Sequence, residues 1–177
     1  TKHKVLVTGA SGLIGGLVVK NLADKYEFSA LNRRPVEGIP CTQADIADFD
    51  AIQPAFEGID MVVHMANYTS DAETWEKHLT SGIIGTRNVF EAARWSGVER
   101  GGYASSIAVY GVQDTFGDRL VNEDDLSAPA NVYGFTKAAN DFAAKKYIDL
   151  YGMDLRGIRI CTVFGHGRVT GMTGMIG

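Results

Sequence analysis

Cysteine, excess charge and long apolar runs are all scarce in this 177-residue sequence. Cys41 and Cys161 lie far apart with no paired spacing for metal or redox work, so we expect two reduced, packed thiols in a cytoplasmic protein and no metal site. The net charge of −4 gives no electrostatic reason to expect nucleic acid or an anionic membrane as a partner. No apolar run approaches the roughly 20 residues that span a bilayer. The first strand begins almost at once, which predicts no signal peptide.

The composition that remains is that of an ordinary globular domain, with 45% hydrophobic and 21% charged residues. A chain of this length can bury roughly 70% of its extended surface. Strand and helix patterns alternate throughout, with no repeat, low-complexity tract or interior linker. This alternation predicts an α/β fold, a doubly wound parallel sheet of the Rossmann type with helices on both faces, in one domain over residues 1–177.

Glycines spaced three apart follow the first apolar run, residues 5–7. Apolar residues at helical spacing come next, which predicts a strand, a tight turn and a helix. Gly9 permits turn dihedrals, Gly12 lets the backbone approach a ligand, and Gly15 lets the helix pack close to the sheet. The free N–H groups at the start of that helix would face a pyrophosphate over the turn. The glycines alone are a weak signal, but their position between a first strand and a helix predicts a dinucleotide site.

The second predicted strand, residues 27–31, leads into Asn32, Arg33 and Arg34. In dinucleotide-binding folds an acidic residue at this point binds the 2′-hydroxyl of the adenosine ribose. That acid is absent here, and arginine can neutralise a 2′-phosphate, so the sequence favours NADP, with NAD possible. The alternative is that both arginines are solvated loop charges.

The third strand is predicted to end at residues 44–46, before a helix that Gly58 stops. Asp45 could accept a hydrogen bond from the adenine amino group or cap the helix that follows. A fourth strand, residues 61–65, precedes the small residues Ala66 and Asn67, which leave room for a cofactor at the carboxyl end of the strand. His64 lies within this apolar strand and is expected to be a packed core residue.

The second half of the chain is predicted to hold two long helices and two more strands. The helices cover residues 75–96 and 133–151, and the strands cover residues 102–106 and 155–161. The polar segment 112–129 is long enough to be a functional loop.

Tyr133 and Lys137 are four residues apart and are therefore neighbours on one helix face. A tyrosine that acts as a base near neutrality needs its pKa lowered by about three units, and a nearby cation supplies roughly one to three. We therefore expect Lys137, helped by a cationic oxidised nicotinamide, to lower the pKa of Tyr133. Ser106, at a predicted strand end, could donate a second hydrogen bond to the substrate oxygen.

Six motifs occur in the order found in the extended short-chain dehydrogenase/reductases. They are Thr8-Gly-Ala-Ser-Gly-Leu-Ile-Gly15, Asp45-Ile46, His64-Met-Ala-Asn67, Ser105 to Gly111, Tyr133 to Lys137 and Arg159 to Gly165. More closely, the chain resembles the NAD(P)-dependent epimerase/dehydratase family, whose members act on sugars and nucleotide sugars. The resemblance covers essentially all 177 residues.

The resemblance implies a catalytic triad of Ser106, Tyr133 and Lys137, with Lys137 also holding the nicotinamide ribose. It further implies a homodimer formed through the two long helices. The residues it places at the cofactor are Gly9, Ser11, Gly12, Leu13, Ile14, Gly15, Asn32, Arg33, Arg34, Asp45, Ile46, Met65, Ala66, Asn67, Tyr133 and Lys137.

Several positions depart from the family pattern. Dehydratases of the family carry an Asp-Glu pair after the catalytic hydroxyl, where this chain has Ile107 and Ala108, so dehydration is disfavoured. Gly82 and Thr162 stand where the family commonly has asparagine, which argues against ordinary nucleotide-sugar binding. The family's C-terminal substrate lobe is absent from this sequence.

These features together predict an NAD(P)-dependent oxidoreductase or epimerase that transfers hydride to or from a sugar-like carbinol. A non-catalytic dinucleotide-binding redox sensor is the alternative, although such relatives usually lack the Tyr–Lys pair.

Overall fold

The computed structural model describes residues 2–69 and 74–164 and contains one six-stranded parallel sheet of order β3-β2-β1-β4-β5-β6. The strands are β1 Lys4–Thr8, β2 Glu27–Asn32, β3 Cys41–Gln43, β4 Met61–His64, β5 Arg100–Ser106 and β6 Asp154–Ile160. All neighbouring strands pair in parallel. The strand order reverses between β1 and β4, which confirms the Rossmann-type sheet and places a ligand crevice at the carboxyl ends of those strands.

Alternation along β1 divides the core between the two faces of the sheet. Val5 and Val7 are buried with Phe28 on one face, and α1 (Leu13–Leu22) packs over them. Leu6 is buried on the opposite face with Val62. The helices over that second face are α2 (Phe49–Ile52), α4 (Gly85–Trp95) and α5 (Val132–Tyr151). A short exposed helix, α3 (Trp75–Lys77), precedes α4. The expected helices on both faces are therefore present.

The helix predicted over residues 75–96 is continuous but not regular. A π-helical segment, His78–Ile84, separates α3 from α4. Apolar periodicity predicts the helix but not this wide turn, because π turns are rare within helices. Short 3₁₀ turns cover Gln53–Phe56 and Ile107–Tyr110.

The third strand ends earlier than predicted, at Gln43. Its last residue pairs with Asn32, the last residue of the neighbouring strand β2. In the turn that follows, the side chain of Asp45 accepts a hydrogen bond from Ala47 N at 3.0 Å. Asp45 does not cap the next helix: Asp48 does, accepting from Ala51 N at 3.1 Å. That alternative for Asp45 was therefore wrong.

The two cysteines are free thiols, but only Cys41 is partly buried. Cys161 is exposed, which corrects the expectation of two packed thiols. It follows β6, the last strand in the sheet order, where no described residue covers it. Within residues 2–69 and 74–164, no helix is long and apolar enough to cross a membrane.

Candidate functional site

A cavity of about 220 Å³ opens at the carboxyl ends of β1, β2, β3 and β4. Most of the residues proposed from sequence to touch a cofactor line it. The lining residues are Gly9, Ser11, Gly12, Leu31, Asn32, Arg33, Arg34, Ala44, Asp45, Ile46, Met65, Ala66, Asn67, Tyr68 and Ser81. Leu13, Ile14 and Gly15 belong to the first turn of α1 and do not line this cavity, and neither do Tyr133 and Lys137.

The glycine turn after β1 depends on close backbone approaches. Gly9 has φ +71°, and a Cβ there would lie 2.8 Å from Ala66 N. A Cβ at Gly15 would lie 2.5 Å from Gly9 O, so α1 can begin against the turn only with glycine at that position. The turn therefore stays open at the N-terminus of α1, a shape and polarity that fit the diphosphate of a dinucleotide.

Asn32 organises the end of β2. Its Nδ2 donates to Arg34 O at 2.7 Å and to Ser11 Oγ at 3.2 Å, which ties this loop to the glycine turn. Arg33 turns toward the end of β4: its Nη1 donates to the Tyr68 hydroxyl at 2.5 Å, and its guanidinium lies 5.1 Å from the Tyr68 ring centroid. The two arginines thus have different surroundings, although both line the cavity.

Asn67 contributes a buried amide to the cavity. Its Oδ1 accepts from Tyr68 N at 2.8 Å, which leaves Nδ2 on the other side of the carboxamide. That Nδ2 is buried, and no described residue is its hydrogen-bond partner. A buried unsatisfied donor is unfavourable without a partner, so the Asn67 amide is suited to a ligand acceptor.

The proposed catalytic hydroxyls come together beside this cavity. Ser106 ends β5, and Tyr133 lies in the first turn of α5, which Asn131 caps by accepting from Gly134 N at 2.7 Å. A Cβ at Gly134 would lie 2.4 Å from Ala108 O, so glycine lets α5 begin against the turn that follows Ser106. The Tyr133 phenol lies near enough to the Ser106 side chain for that side chain to lower the pKa of Tyr133.

Lys137 is buried on the same helix. Its Nζ donates to Ala104 O at 2.6 Å and lies 5.6 Å from the centroid of the Tyr133 ring. Burial lowers the pKa of Lys137 to about 8, and nearby Asp141 opposes that shift. The ammonium is therefore largely protonated at pH 7 and directed at the strand β5.

The pKa of Tyr133 is displaced opposite to expectation. Burial raises it, and the Ser106 side chain only partly counteracts that effect. The Lys137 ammonium donates to the Ala104 carbonyl. In the protein alone, Tyr133 is a protonated phenol at neutral pH, so Lys137 by itself does not lower its pKa. The lowering expected from Lys137 together with a bound oxidised nicotinamide stays a prediction.

His64 is a core residue, as expected. It is 4% exposed, and both ring nitrogens contact threonine hydroxyls, at 2.6 Å for Thr8 and 3.0 Å for Thr86. Burial, helped by the charge of Lys137, lowers the pKa of His64 to about 3. The ring is therefore neutral at physiological pH.

Sequence reasoning missed some residues of the site. Tyr68 and Ser81 both line the cavity. Tyr68 directly follows a motif at a strand end, so its position gave a usable signal, whereas nothing in the sequence marks Ser81. In the part of the chain that the structure describes, no group of three or more acidic, histidine or cysteine side chains could hold a metal ion.

The sheet order, the glycine turn and the cavity define a dinucleotide-binding α/β domain. Residues 5–177 match the model of the NAD dependent epimerase/dehydratase family. The chain belongs to this family.

Individual relatives agree with that assignment. The L-arabinose 1-dehydrogenase (NAD(P)(+)) of Haloferax volcanii is 30% identical over 89% of this chain and 66% of its own length. The crystal structure of uronate dehydrogenase from Agrobacterium tumefaciens is 29% identical, with a TM-score of 0.81 over 95% of this chain and 65% of that one. The UDP-glucose 4-epimerase of Thermus thermophilus, in complex with NAD, is 26% identical, with a TM-score of 0.83 over 98% of this chain and 60% of that one. This chain therefore spans about two thirds or less of the length of these three relatives.

Proposed function

We propose that this chain is the NAD(P)-binding domain of a sugar dehydrogenase, with Tyr133 as its proton-transfer residue. The observation that carries the proposal is the grouping of Ser106, Tyr133 and Lys137 beside the cavity at the carboxyl ends of the strands: Ser106 is close enough to affect the pKa of Tyr133, and Lys137 Nζ lies 5.6 Å from the centroid of the Tyr133 ring. The named dehydrogenase relatives, which act on L-arabinose and on uronate, support a sugar as the substrate class.

The three proposed catalytic side chains have different tasks. Tyr133 exchanges a proton with the oxygen of the substrate carbinol, and Ser106 donates a hydrogen bond that orients the same oxygen. Lys137 provides positive charge beneath the phenol ring, and we assign it the nicotinamide ribose as well. A bound oxidised nicotinamide supplies the hydride acceptor and a second positive charge, which favours the phenolate of Tyr133.

The cavity residues would hold the dinucleotide. The diphosphate would lie over the turn from Gly9 to Gly12, at the start of α1, and the adenosine would lie toward Asn32 and Asp45. Ile107 and Ala108, which follow Ser106, carry no group that could transfer a proton, so elimination of water is not part of the proposed reaction.

Replacing Tyr133 with phenylalanine tests the proposal. Tyr133→Phe removes only the hydroxyl, so sugar oxidation should fall roughly 10²-fold to 10⁴-fold, the usual contribution of general acid–base catalysis. Dinucleotide affinity, measured by calorimetric titration, should change by less than about twofold, the size of a few tenths of a kcal/mol. Tyr151→Phe is the matched control, because Tyr151 is an exposed tyrosine on the same helix. Equal turnover in both variants would exclude this role for Tyr133.

Accumulation of reduced cofactor separates a dehydrogenase from an epimerase. A dehydrogenase releases reduced nicotinamide, so absorbance rises in proportion to the sugar consumed. An epimerase returns the hydride to the same sugar, so sugar is converted without any such rise. Conversion without accumulation would replace the proposed net oxidation with epimerisation at the same site.

We also propose that the site prefers NADP to NAD. Arg33 and Arg34 line the cavity near Asn32, and Asp45 is the one carboxylate among the described lining residues. Because Arg33 is engaged with Tyr68, we assign the main contact with a 2′-phosphate to Arg34.

The Arg34→Gln variant checks this preference. NADP affinity should fall roughly tenfold to hundredfold, the loss of a charge-assisted contact, while NAD affinity stays about constant. Arg156→Gln, an exposed arginine on β6, serves as the control. Tighter binding of NAD than NADP by the unaltered protein would contradict the proposal.

A further inference from the structure

A chain of buried polar side chains lies beneath the cavity and crosses four elements. Thr8 in β1, His64 at the end of β4, Thr86 in α4 and Asn140 in α5 are all at most 4% exposed. The His64 ring joins Thr8 Oγ1 at 2.6 Å to Thr86 Oγ1 at 3.0 Å. Asn140 Nδ2 then donates to Thr86 Oγ1 at 3.1 Å. Four side chains from separate parts of the sequence are therefore connected without a gap.

The direction of every hydrogen bond in this chain of side chains can be assigned. Thr86 has one hydroxyl hydrogen, which it donates to Gly82 O at 2.8 Å, so its oxygen accepts from both His64 and Asn140. Nε2 of His64 must then carry the ring hydrogen. Because the ring is neutral, Nδ1 accepts the hydroxyl hydrogen of Thr8.

Thr8 completes the chain at the cavity. With its own hydrogen donated to His64, Thr8 Oγ1 accepts from the backbone N–H groups of Met65 at 3.2 Å and Ala66 at 3.1 Å. Both residues line the cavity, and Thr8 immediately precedes Gly9. Thr8 Oγ1 therefore connects the His64 ring to the backbone of the cavity floor.

The other end of this hydrogen-bonded chain of side chains lies among the helices beside the proposed catalytic groups. Asn140 is three residues after Lys137 on α5, and Gly82 belongs to the π-helical segment, next to the cavity residue Ser81. A shift of α5 relative to β4 would move Lys137 relative to the cavity floor. The hydrogen-bonded chain connects these two parts of the site.

We propose that His64, as the Nε2–H tautomer, is a positioning residue that holds α4 and α5 in register with the floor of the dinucleotide cavity. It acts through Thr8 on the cavity floor and through Thr86 on the helices, and it does not touch the substrate. The proposal rests on the proposed dinucleotide-binding function. A purely structural histidine would stabilise the sheet without affecting ligand affinity.

Matched threonine variants test the positioning role. Thr8→Ser keeps the hydroxyl, whereas Thr8→Val keeps the shape and removes it, and the same pair is made at Thr86. Dinucleotide affinity should fall roughly tenfold in each valine variant, the effect of about one lost hydrogen bond, and should stay within about twofold in each serine variant. Urea unfolding of all four variants shows that affinity is measured on folded protein. Unchanged affinity in the folded valine variants, or equal losses in the serine and valine variants, would overturn the proposal.

The tautomer is measured directly in the unaltered protein, in case a valine variant does not fold. Nitrogen-15 NMR of the His64 ring should show a protonated Nε2 and an unprotonated Nδ1 between pH 5.5 and 8, with and without dinucleotide. A protonated Nδ1 would overturn the proposal, since Thr8 could then no longer donate to the ring.

The two proposals fail separately. If the unaltered protein binds dinucleotide but oxidises no sugar, the proposed reaction is excluded. The dinucleotide affinities of the threonine variants then still test the positioning role of His64. If the unaltered protein binds no dinucleotide, both proposals fall.

Discussion

His64 makes protein stability depend on pH in a definite direction. Its pKa is about 3 in the folded protein, because burial opposes a charge there and Lys137 adds a repulsive one, against about 6.5 when unfolded. At pH values between these two pKa values, His64 binds a proton in the unfolded chain but not in the folded protein. The stability associated with a neutral His64 is therefore fully present above about pH 6.5 and is lost as the pH falls toward 3.

Urea unfolding across a pH series measures this effect. Between pH 6.5 and 5, the free energy of unfolding should decrease by about 2 kcal/mol from His64 alone. In the His64→Gln variant, which cannot be protonated, that part of the decrease should disappear, although the variant starts from a lower stability. Asp125, whose pKa is lowered to about 2 chiefly by its hydrogen bond with Arg119, loses its contribution only at lower pH. Parallel pH profiles for the variant and the unaltered protein would contradict a neutral buried His64.

At the scale of elements, the contact between the π-helical segment and α5 matters most for the site. A Cβ at Gly82 would lie 3.2 Å from both Cβ and Cγ2 of Thr136, and 3.3 Å from Oδ1 of Asn67. Glycine therefore allows this segment to approach the helix that carries Tyr133 and Lys137. An asparagine at position 82, common in the family, would need this contact to be wider.

Substituting Gly82 with alanine should separate the effect of helix propensity on stability from the effect of packing against Thr136. Alanine is about 1 kcal/mol better than glycine within a helix, but overpacking costs typically about 1–3 kcal/mol, so we expect net destabilisation. Adding Thr136→Ser removes the Cγ2 atom and should restore most of the loss. Thermal and urea unfolding of Gly82→Ala, Thr136→Ser and the double variant measure the coupling. Simple additivity of the two substitutions would show that Gly82 and Thr136 are not in tight contact.

For the whole molecule, the exposed apolar residues of α5 bear on assembly. Phe135 and Phe142 are seven residues apart, on one face of the helix, and are 43% and 65% exposed. Trp75 of α3 stacks on Phe135 with a centroid distance of 5.9 Å and is itself half exposed. An apolar face of this kind favours association, which agrees with the homodimer that the family resemblance implies.

Analytical ultracentrifugation checks this expectation. The unaltered protein should sediment as a dimer, and Phe142→Asp should shift it to a monomer, because a carboxylate would have to be desolvated in the interface. Leu120→Asp is the control, since Leu120 is 92% exposed but lies in the segment between β5 and α5 and not on a long helix. A monomeric unaltered protein, or a dimer that tolerates Phe142→Asp, would exclude this interface.

The sequence by itself determined the local features whose physical cause is local. The apolar run and glycine turn specify β1 and the start of α1, alternation along the chain specifies the parallel sheet, and the spacing of Tyr133 and Lys137 places both on one helix. The cavity lining was also largely foreseeable, because strand ends in such a sheet meet at one edge. The early end of β3 was not, since β3 ends opposite Asn32, where its partner strand β2 ends.

Only the tertiary structure decided the features that depend on what packs against what. The direction of the Tyr133 pKa shift reflects burial, which the Ser106 side chain only partly opposes, and the spacing of Tyr133 and Lys137 does not reveal that burial. The π-helical turn at Gly82 and the engagement of Arg33 with Tyr68 both involve residues distant in sequence. The hydrogen-bonded chain of side chains through His64 likewise forms only when β1, β4, α4 and α5 are packed together, and only then can donors and acceptors be assigned. Local sequence patterns specify the helices and strands, whereas the pKa shifts and hydrogen bonds of the site depend on how these helices and strands pack together.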